Sequence, residues 1–523
     1  MLPFWDGKAS VIPLRKSILN GLYSCALGKF WALSAVAIVF FQGSCSGPTS
    51  SSGSGANHDG NPALMLVLRA APLKTPANVN LLSFRTTVEG ISLTPAAGGS
   101  VNVPLNANLY QVDLVRLQSD STLLAKSTNV PVGTYTNMVV SLSDPAVTYC
   151  RQTQGMAGCE TGSIISLSGA PATPIITTLP FPLVVVRGQN IGLAISVDIQ
   201  KALTVNGQSQ AVTSVNLGAA NVLTAMMLPP ASSSLPSTPL DFIEDVTGSV
   251  SSVDEGTQSV TIQTATRGPI TAIANNSTIV SPNCVIFNLG NTFTCAKQGQ
   301  VASLDAVLNQ DGSVTLLEYD PLAITAGDWI EGIVGLPPSS STQFQLVTND
   351  FVLADNNSLI GSNLELGVSV QITLVHPKPF QVDDKGLVVP NTLFLGATDA
   401  SVLAPGQTLT VHLVSFTPST GTTLAAANVD FVYLRFTRVT GNIANVAPPN
   451  TFTMQSFPSF LGLVFPVTVQ LSNGSPSTNF DGVTSASDLV SGQTASVRAL
   501  YFGPPTGPTP TPTPLSAAKV RVP

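Results

Sequence analysis

The chain reads as all-β: an N-terminal β-sandwich followed by three small tandem β-barrel-like modules. Three observations carry this. First, Val and Thr are abundant among 42 Gly and 40 Pro, which favours strands and turns over helices. Second, apolar and polar residues alternate over short runs. Leu193-Ala194-Ile195-Ser196-Val197-Asp198-Ile199 is an example, the pattern of a half-buried strand. Third, a set of short phrases recurs three times in the second half. Charged residues are only 9% of the 523, against roughly 25% in ordinary soluble proteins. The polar surface is therefore expected to be Ser, Thr, Asn and Gln, which suits an exported protein. A net charge of −7 argues against nucleic acid as a partner, since that needs clustered Lys and Arg.

Residues 1–45 are expected to be a signal peptide with a lipoprotein cleavage site. Arg15, Lys16 and Lys29 precede an uncharged run from Phe30 to Phe41, and Gln42-Gly43-Ser44-Cys45 follows. Lipidation of Cys45 would place several acyl chains in a bilayer, each buried methylene contributing about 0.8 kcal/mol. Gln42 departs from the Leu usual three positions before the cysteine. Ordinary cleavage near Ser46 is one alternative. An uncleaved anchor is another, weakened because Lys29 interrupts the run. Residues 46–62 read as a Ser/Gly tether.

The β-sandwich is expected over 63–227, with a Pro/Ser linker at 228–240. Within it, Val112-Asp113-Leu114-Val115-Arg116-Leu117, then Leu123-Leu124-Ala125, then Val130-Pro131-Val132-Gly133-Thr134-Tyr135-Thr136 run in order into the strand at Met138. These pieces resemble the bacterial family of unknown function numbered 4382, over roughly 63–225. The resemblance implies an exported β-sandwich, often at the front of surface lipoproteins, and supplies no catalytic residues.

The remainder repeats. Val246-Thr247-Gly248, Ile330-Glu331-Gly332 and Val439-Thr440-Gly441 each open a unit. Alternating strands follow at Val260, Phe344 and Phe452. Each unit later carries Gly-Gln before a strand: Gly299-Gln300, Gly406-Gln407 and Gly492-Gln493. Gly248 to Gly299 and Gly441 to Gly492 each span 51 positions, and Gly332 to Gly406 spans 74. The expected modules are 241–325, an enlarged 326–436, and 437–523. They resemble the exported β-modules of unknown function numbered 5666. Leu515 to Val522 matches Leu424 to Phe431, so the last residues are expected to close the third module after a Pro/Thr-rich loop at 503–514.

Four cysteines remain for an oxidising compartment. Cys284 and Cys295 flank Asn288-Leu289-Gly290-Asn291 as a hairpin, and Cys150 and Cys159 bracket a polar loop, so two disulfides are expected. A zinc site is the poorer reading, because the spacing is wrong and no His lies near. No catalytic residue and no cofactor are expected. The chain lacks a zinc-protease helix motif, a nucleophile elbow and a phosphate loop. His412 lies in an alternating strand and reads as structural. No metal is expected either: Asp350, Asp355, Asp383-Asp384 and Asp254-Glu255 could ligate calcium, but none has the spacing of a calcium loop. Trp329 is the one aromatic of its size outside the signal region and the candidate for a binding face. The function expected is that of a non-catalytic cell-envelope lipoprotein, structural or adhesive, anchored at the outer membrane or cell surface. Its partners would be the membrane and a polysaccharide or another envelope protein. A carbohydrate- or peptide-binding surface protein is the alternative, and a hydrolase the remaining one.

Overall fold

Alternation along the chain becomes strand pairing in the computed structural model. It describes residues 62–73, 80–151, 157–169, 174–208, 211–229, 239–280, 295–323, 327–354, 357–389, 392–421, 423–447, 449–474, 476–504 and 515–523. The expected signal peptide, Cys45 and Cys284 lie outside these. The protein is all-β: among the described residues the one α-helix is the four-residue Ile199–Ala202, capped by Asp198. Among the described residues no helix is long and apolar enough to cross a membrane.

The first part is a two-sheet sandwich. One sheet orders Leu223–Met227, Ile191–Asp198, Leu64–Ala71 and Thr122–Ser127. The other is built on the long strands Asn80–Pro95 and Gly133–Cys150, paired antiparallel. Leu64, Leu66, Leu68, Leu193 and Ile195 of the first meet Phe84, Val88, Met138 and Leu142 of the second in one core. The alternate residues Met65, Val67 and Ala194 are equally buried, but in the core of the next unit. That is why Leu64-Met65-Leu66-Val67-Leu68 is an unbroken apolar run: both faces of this strand are covered. The two ends of the expected linker, Leu228 and Leu240, are buried in that same second core.

Three five-stranded rings follow. In the first, Pro239–Asp254 pairs with Ser259–Thr264, which pairs with Gly268–Ile273. Gly268–Ile273 meets Val314–Ala323 in parallel, and Val301–Asn309 closes the ring back to Pro239–Asp254. The second ring runs through Trp329–Val334, Gln343–Val352, Ser369–Leu374, Ala425–Ala447 and Thr408–Thr417 with the same pairings. The third reuses the far half of Ala425–Ala447, then Thr451–Gln455, Val467–Leu471, Leu515–Arg521 and Thr494–Tyr501. In chain order the path is 1-2-3-5-4-1 each time, the Greek-key path of an OB-type barrel. The second and third rings are fused, because the 23-residue strand Ala425–Ala447 closes one and opens the other.

The recurring glycines have a common physical cause. Gly248, Gly332 and Gly441 sit opposite Ala302, Leu409 and Ala495, each two residues past the Gly-Gln. A Cβ on them would lie 2.2 Å from Gln263 O, 2.6 Å from Val347 O and 2.7 Å from Gln455 O. The neighbouring strand leaves no room for any other residue. At the Gly-Gln turns, φ is +82°, +89° and +85°, the left-handed region that glycine adopts without penalty. The glutamine Oε1 then accepts a hydrogen bond from the backbone N–H three residues earlier: Lys297 (2.9 Å), Ala404 (2.9 Å) and Val490 (3.1 Å).

Sheet register revises one alignment. Ile372 pairs with Phe344 and Ala427, and Val469 pairs with Phe452 and Leu515. Phe344 and Phe452 being equivalent, Leu515 corresponds to Ala427, three residues from the expected Leu424. Similar small apolar residues on both strands make the three-residue slip invisible in sequence.

Candidate functional site

The revised register brings equivalent positions into view. Five residues past each Gly-Gln glutamine stand Asp305, His412 and Arg498, and their cross-strand partners are Glu318, Phe431 and Lys519. One pair further along, the partners are Asp320, Tyr433 and Arg521. These side chains alternate with core residues such as Leu304, Val411 and Val497, so they leave the ring on its outer face. The first ring presents acids there, the second aromatic rings and a histidine, the third cations.

The acids and cations meet in a buried hub. Asp245 is at its centre, on a bulge in Pro239–Asp254 between Ile243 and Val246, with φ at +50°. Its N–H donates to Asp305 Oδ1 (2.7 Å). Arg498 grips its carboxylate through Nε (2.9 Å) and Nη2 (2.8 Å), and reaches Asp305 Oδ2 through Nη1 (2.9 Å). Arg438 adds a contact to Asp245 and another to Asp120 of the sandwich (2.7 Å). Arg435 pairs with Asp383 and donates to Ser303 Oγ (2.8 Å). Lys385 donates to Glu318 (2.8 Å), Lys519 to Glu244 (2.6 Å), and Arg116 pairs with Glu331 (3.0 Å) and Asp350 (3.1 Å). Arg267 also pairs with Asp350. Seven cations (Arg116, Arg267, Lys385, Arg435, Arg438, Arg498, Lys519) thus face eight carboxylates (Asp120, Glu244, Asp245, Asp305, Glu318, Glu331, Asp350, Asp383). Arg435 and Lys519 are fully buried.

Taking one such charge out of water costs several kcal/mol unless it is paired and hydrogen-bonded, so the hub tolerates no vacancy. Burial pushes the Asp245 carboxyl up, but Arg498, Arg438, Arg435 and Lys385 outweigh it and hold it well below the usual range. Burial likewise opposes ionisation of Glu331, and Arg116 and Arg435 overcome it. At Glu244 burial wins over Lys519 and Arg498, and the carboxyl is pushed up to about 6.

The sequence-derived candidates fall elsewhere. Cys150 and Cys159 form a disulfide, with Cα atoms 5.6 Å apart. The disulfide is tied to the second and third rings, Cys159 N–H donating to Gly335 O (2.8 Å) and Gly158 N–H to Phe460 O (2.7 Å). Cys295 is disulfide-bonded as well, and Cys284, its expected partner, lies outside the described residues. Trp329 is 2% exposed and packs against His412, Phe431 and Tyr433, ring centroids 5.0, 6.3 and 6.1 Å away. It is a core residue between the first and second rings and offers no flat face to a ligand. His412 Nδ1 lies 2.6 Å from Asp430 Oδ1 at the rim of this cluster. Its Nε2 faces Gly327, where a Cβ would lie 2.7 Å away, so that nitrogen is crowded by backbone. Burial raises Asp430, but the His412 hydrogen bond and charge and nearby Lys378 bring it below its ordinary value.

A cavity of about 350 Å³ opens beside the hub. Phe242, Val307, Leu316 and Leu387 make its apolar wall, and Asp305, Glu318, Lys385 and Arg498 its charged floor. Sequence reasoning did not find the hub. The available signal was charge inside apolar strands, as in Phe242-Ile243-Glu244-Asp245-Val246 or Val497-Arg498-Ala499-Leu500.

The described residues thus define an all-β protein of one sandwich and three like rings around an ionic centre. Within it, residues 71–217, in the sandwich, match the model of a family described as a domain of unknown function, DUF4382. No curated protein matches the chain.

Proposed function

We propose that the chain is a non-catalytic cell-envelope lipoprotein with a structural or adhesive role, held at the outer membrane or cell surface through lipid on Cys45. The three rings would be modules of the family numbered 5666, and the partners the membrane and a polysaccharide or another envelope protein. The observation that supports this is where the charges go. In a chain with few of them, most of the strand-borne acids and cations lie inside, joining four β-units into one block. The outside is left to hydroxyl and amide side chains and to apolar residues such as Ile176, Val184, Val388 and Leu393. A weakly charged block on a Ser/Gly tether is suited to contact rather than turnover. The test is a Cys45→Ala variant compared with the parent by membrane fractionation and by attachment of cells under shear. Release of the protein together with loss of attachment is expected. A variant that stays in the membrane fraction, or cells that attach as before, would overturn the reading.

The alternative of a carbohydrate- or peptide-binding protein is favoured by one feature, the cavity with an apolar wall and a floor carrying both charge signs. Its test is equilibrium dialysis of the purified chain with envelope oligosaccharides and with dipolar peptides, Leu387→Trp filling the cavity as the control.

A further inference from the structure

Three carboxylates meet where the closing strand of the first ring approaches the extra loop of the second. Glu318 and Asp320 stand on Val314–Ala323, and Asp383 follows the short strand Gln381–Val382. One oxygen of each lies within 4.8 Å of the others. Glu318 and Asp383 are each 3% exposed. Each commits one oxygen to the hub, Glu318 Oε2 to Lys385 and Asp383 Oδ2 to Arg435. Their second oxygens, Glu318 Oε1 and Asp383 Oδ1, are buried without a hydrogen-bond partner. Both residues line a cavity of about 300 Å³ that Asp320, Asp384 and Tyr433 also line.

Charge points the same way. The hub already holds one carboxylate more than its cations, and Asp320 brings another. Among the described residues no cation lies within ion-pairing distance of Asp320.

We propose that Glu318, Asp320 and Asp383 bind a divalent cation of the calcium class, clamping the first ring to the loop of the second. The donors are all oxygen, which selects a hard cation. They come from two separate elements, and calcium accepts such irregular geometry where magnesium demands a near-ideal octahedron. The cavity leaves room for the waters that complete its shell. Lys385 and Arg435 draw on two of the three carboxylates, so binding belongs with the weaker extracellular sites, a Kd on the order of 10⁻⁴ M. The competing arrangement is a proton shared between Asp320 and Glu318.

The experiment uses the full chain in detergent, dialysed against EDTA and then titrated with CaCl₂ by calorimetry and by thermal unfolding. One binding event is expected, with the unfolding midpoint rising by about 3 °C at a hundredfold excess over Kd. Asp320→Asn removes no ion pair of the hub, so the variant should fold and should lose the calcium response. Asp254→Asn, in a hairpin turn, should respond as the parent does. Three results would overturn the proposal: a parent indifferent to calcium, an Asp320→Asn variant that responds equally, or MgCl₂ matching CaCl₂. A shared proton would show as the first of these, with a midpoint that falls as pH rises.

Discussion

In the first ring the outward positions beside the Gly-Gln turn carry Asp305, Glu318 and Asp320. In the third the same positions carry Arg498, Lys519 and Arg521. The two rings share strand order, glycine positions and turn chemistry, and differ in the sign of the charge they present. Arg498 meets Asp305 directly, and Lys519 meets the first ring's Glu244. Three like rings with apolar outer faces could stack in any order. Opposite signs admit one docking and penalise the others, because a ring facing its own kind would bury like charges. The middle ring carries neither sign there. His412, Phe431 and Tyr433 pack with Trp329 against Val301 and Leu322 of the first ring instead. The net worth of the ionic docking is specificity more than stability, since desolvation offsets much of the attraction.

The severest break is deletion of 515–523. It removes Lys519 and Arg521 and opens the third ring, exposing the edges of Thr494–Tyr501 and Val467–Leu471. Loss of the cooperative unfolding transition and rapid proteolysis are expected. A truncated chain as stable as the parent would mean that the closing strand is dispensable.

Arg498→Met comes next. It leaves Asp245 and Asp305 short of their strongest partner and should cost about 3–5 kcal/mol in urea unfolding. Adding Asp305→Asn should recover part of that loss. A double-mutant cycle with no coupling would break the pairing of opposite rings.

Acid should loosen the docking before anything else does. Asp245, Asp120 and Glu331 are held low by their arginines against the upward push of burial. The stability they contribute is complete above their unfolded values, about 3.8 for Asp and 4.5 for Glu, and is lost as pH falls from there through the folded values. Glu244, raised to about 6, has the opposite sign: its contribution is present below 4.5 and is lost as pH rises through about 6. Urea midpoints should therefore peak between these limits and drop sharply below pH 4. Glu244→Gln should flatten the upper limb.

The smallest effect belongs to the middle ring. Asp430→Asn breaks a pair whose side chains are 22% and 29% exposed, and should cost less than about 1 kcal/mol. A loss as large as that of Arg498→Met would show that all three outer faces bear equal weight.

The strands were legible because alternation reports which residues face a core. The three glycines were legible because only glycine fits against the next strand's carbonyl. The hub was not. Alternation puts Arg498 on the outer side of its strand, which reads as solvent, and nothing local says that another unit covers it. Its partner Asp305 is 193 positions away. Trp329 misled for the same reason: scarcity marked it as a binding aromatic, but Val301 and Leu322 of the first ring cover it. Charge inside an apolar strand is the one local sign of such a centre, and each instance looks alone like an ordinary exposed position.

The hub also orders events in time. Synthesis delivers Glu244, Asp245, Asp305 and Glu318 well before Arg435, Arg438, Arg498 and Lys519. Until Arg498 and Lys519 emerge, Glu244, Asp245 and Asp305 lack the third-ring partners that their final packing supplies. Docking of the third ring on the first is therefore expected to follow synthesis of Thr494–Tyr501 and Leu515–Arg521. A chain that stops early cannot pass for a finished one: it displays an open acidic face, a mark that a quality-control protease could read.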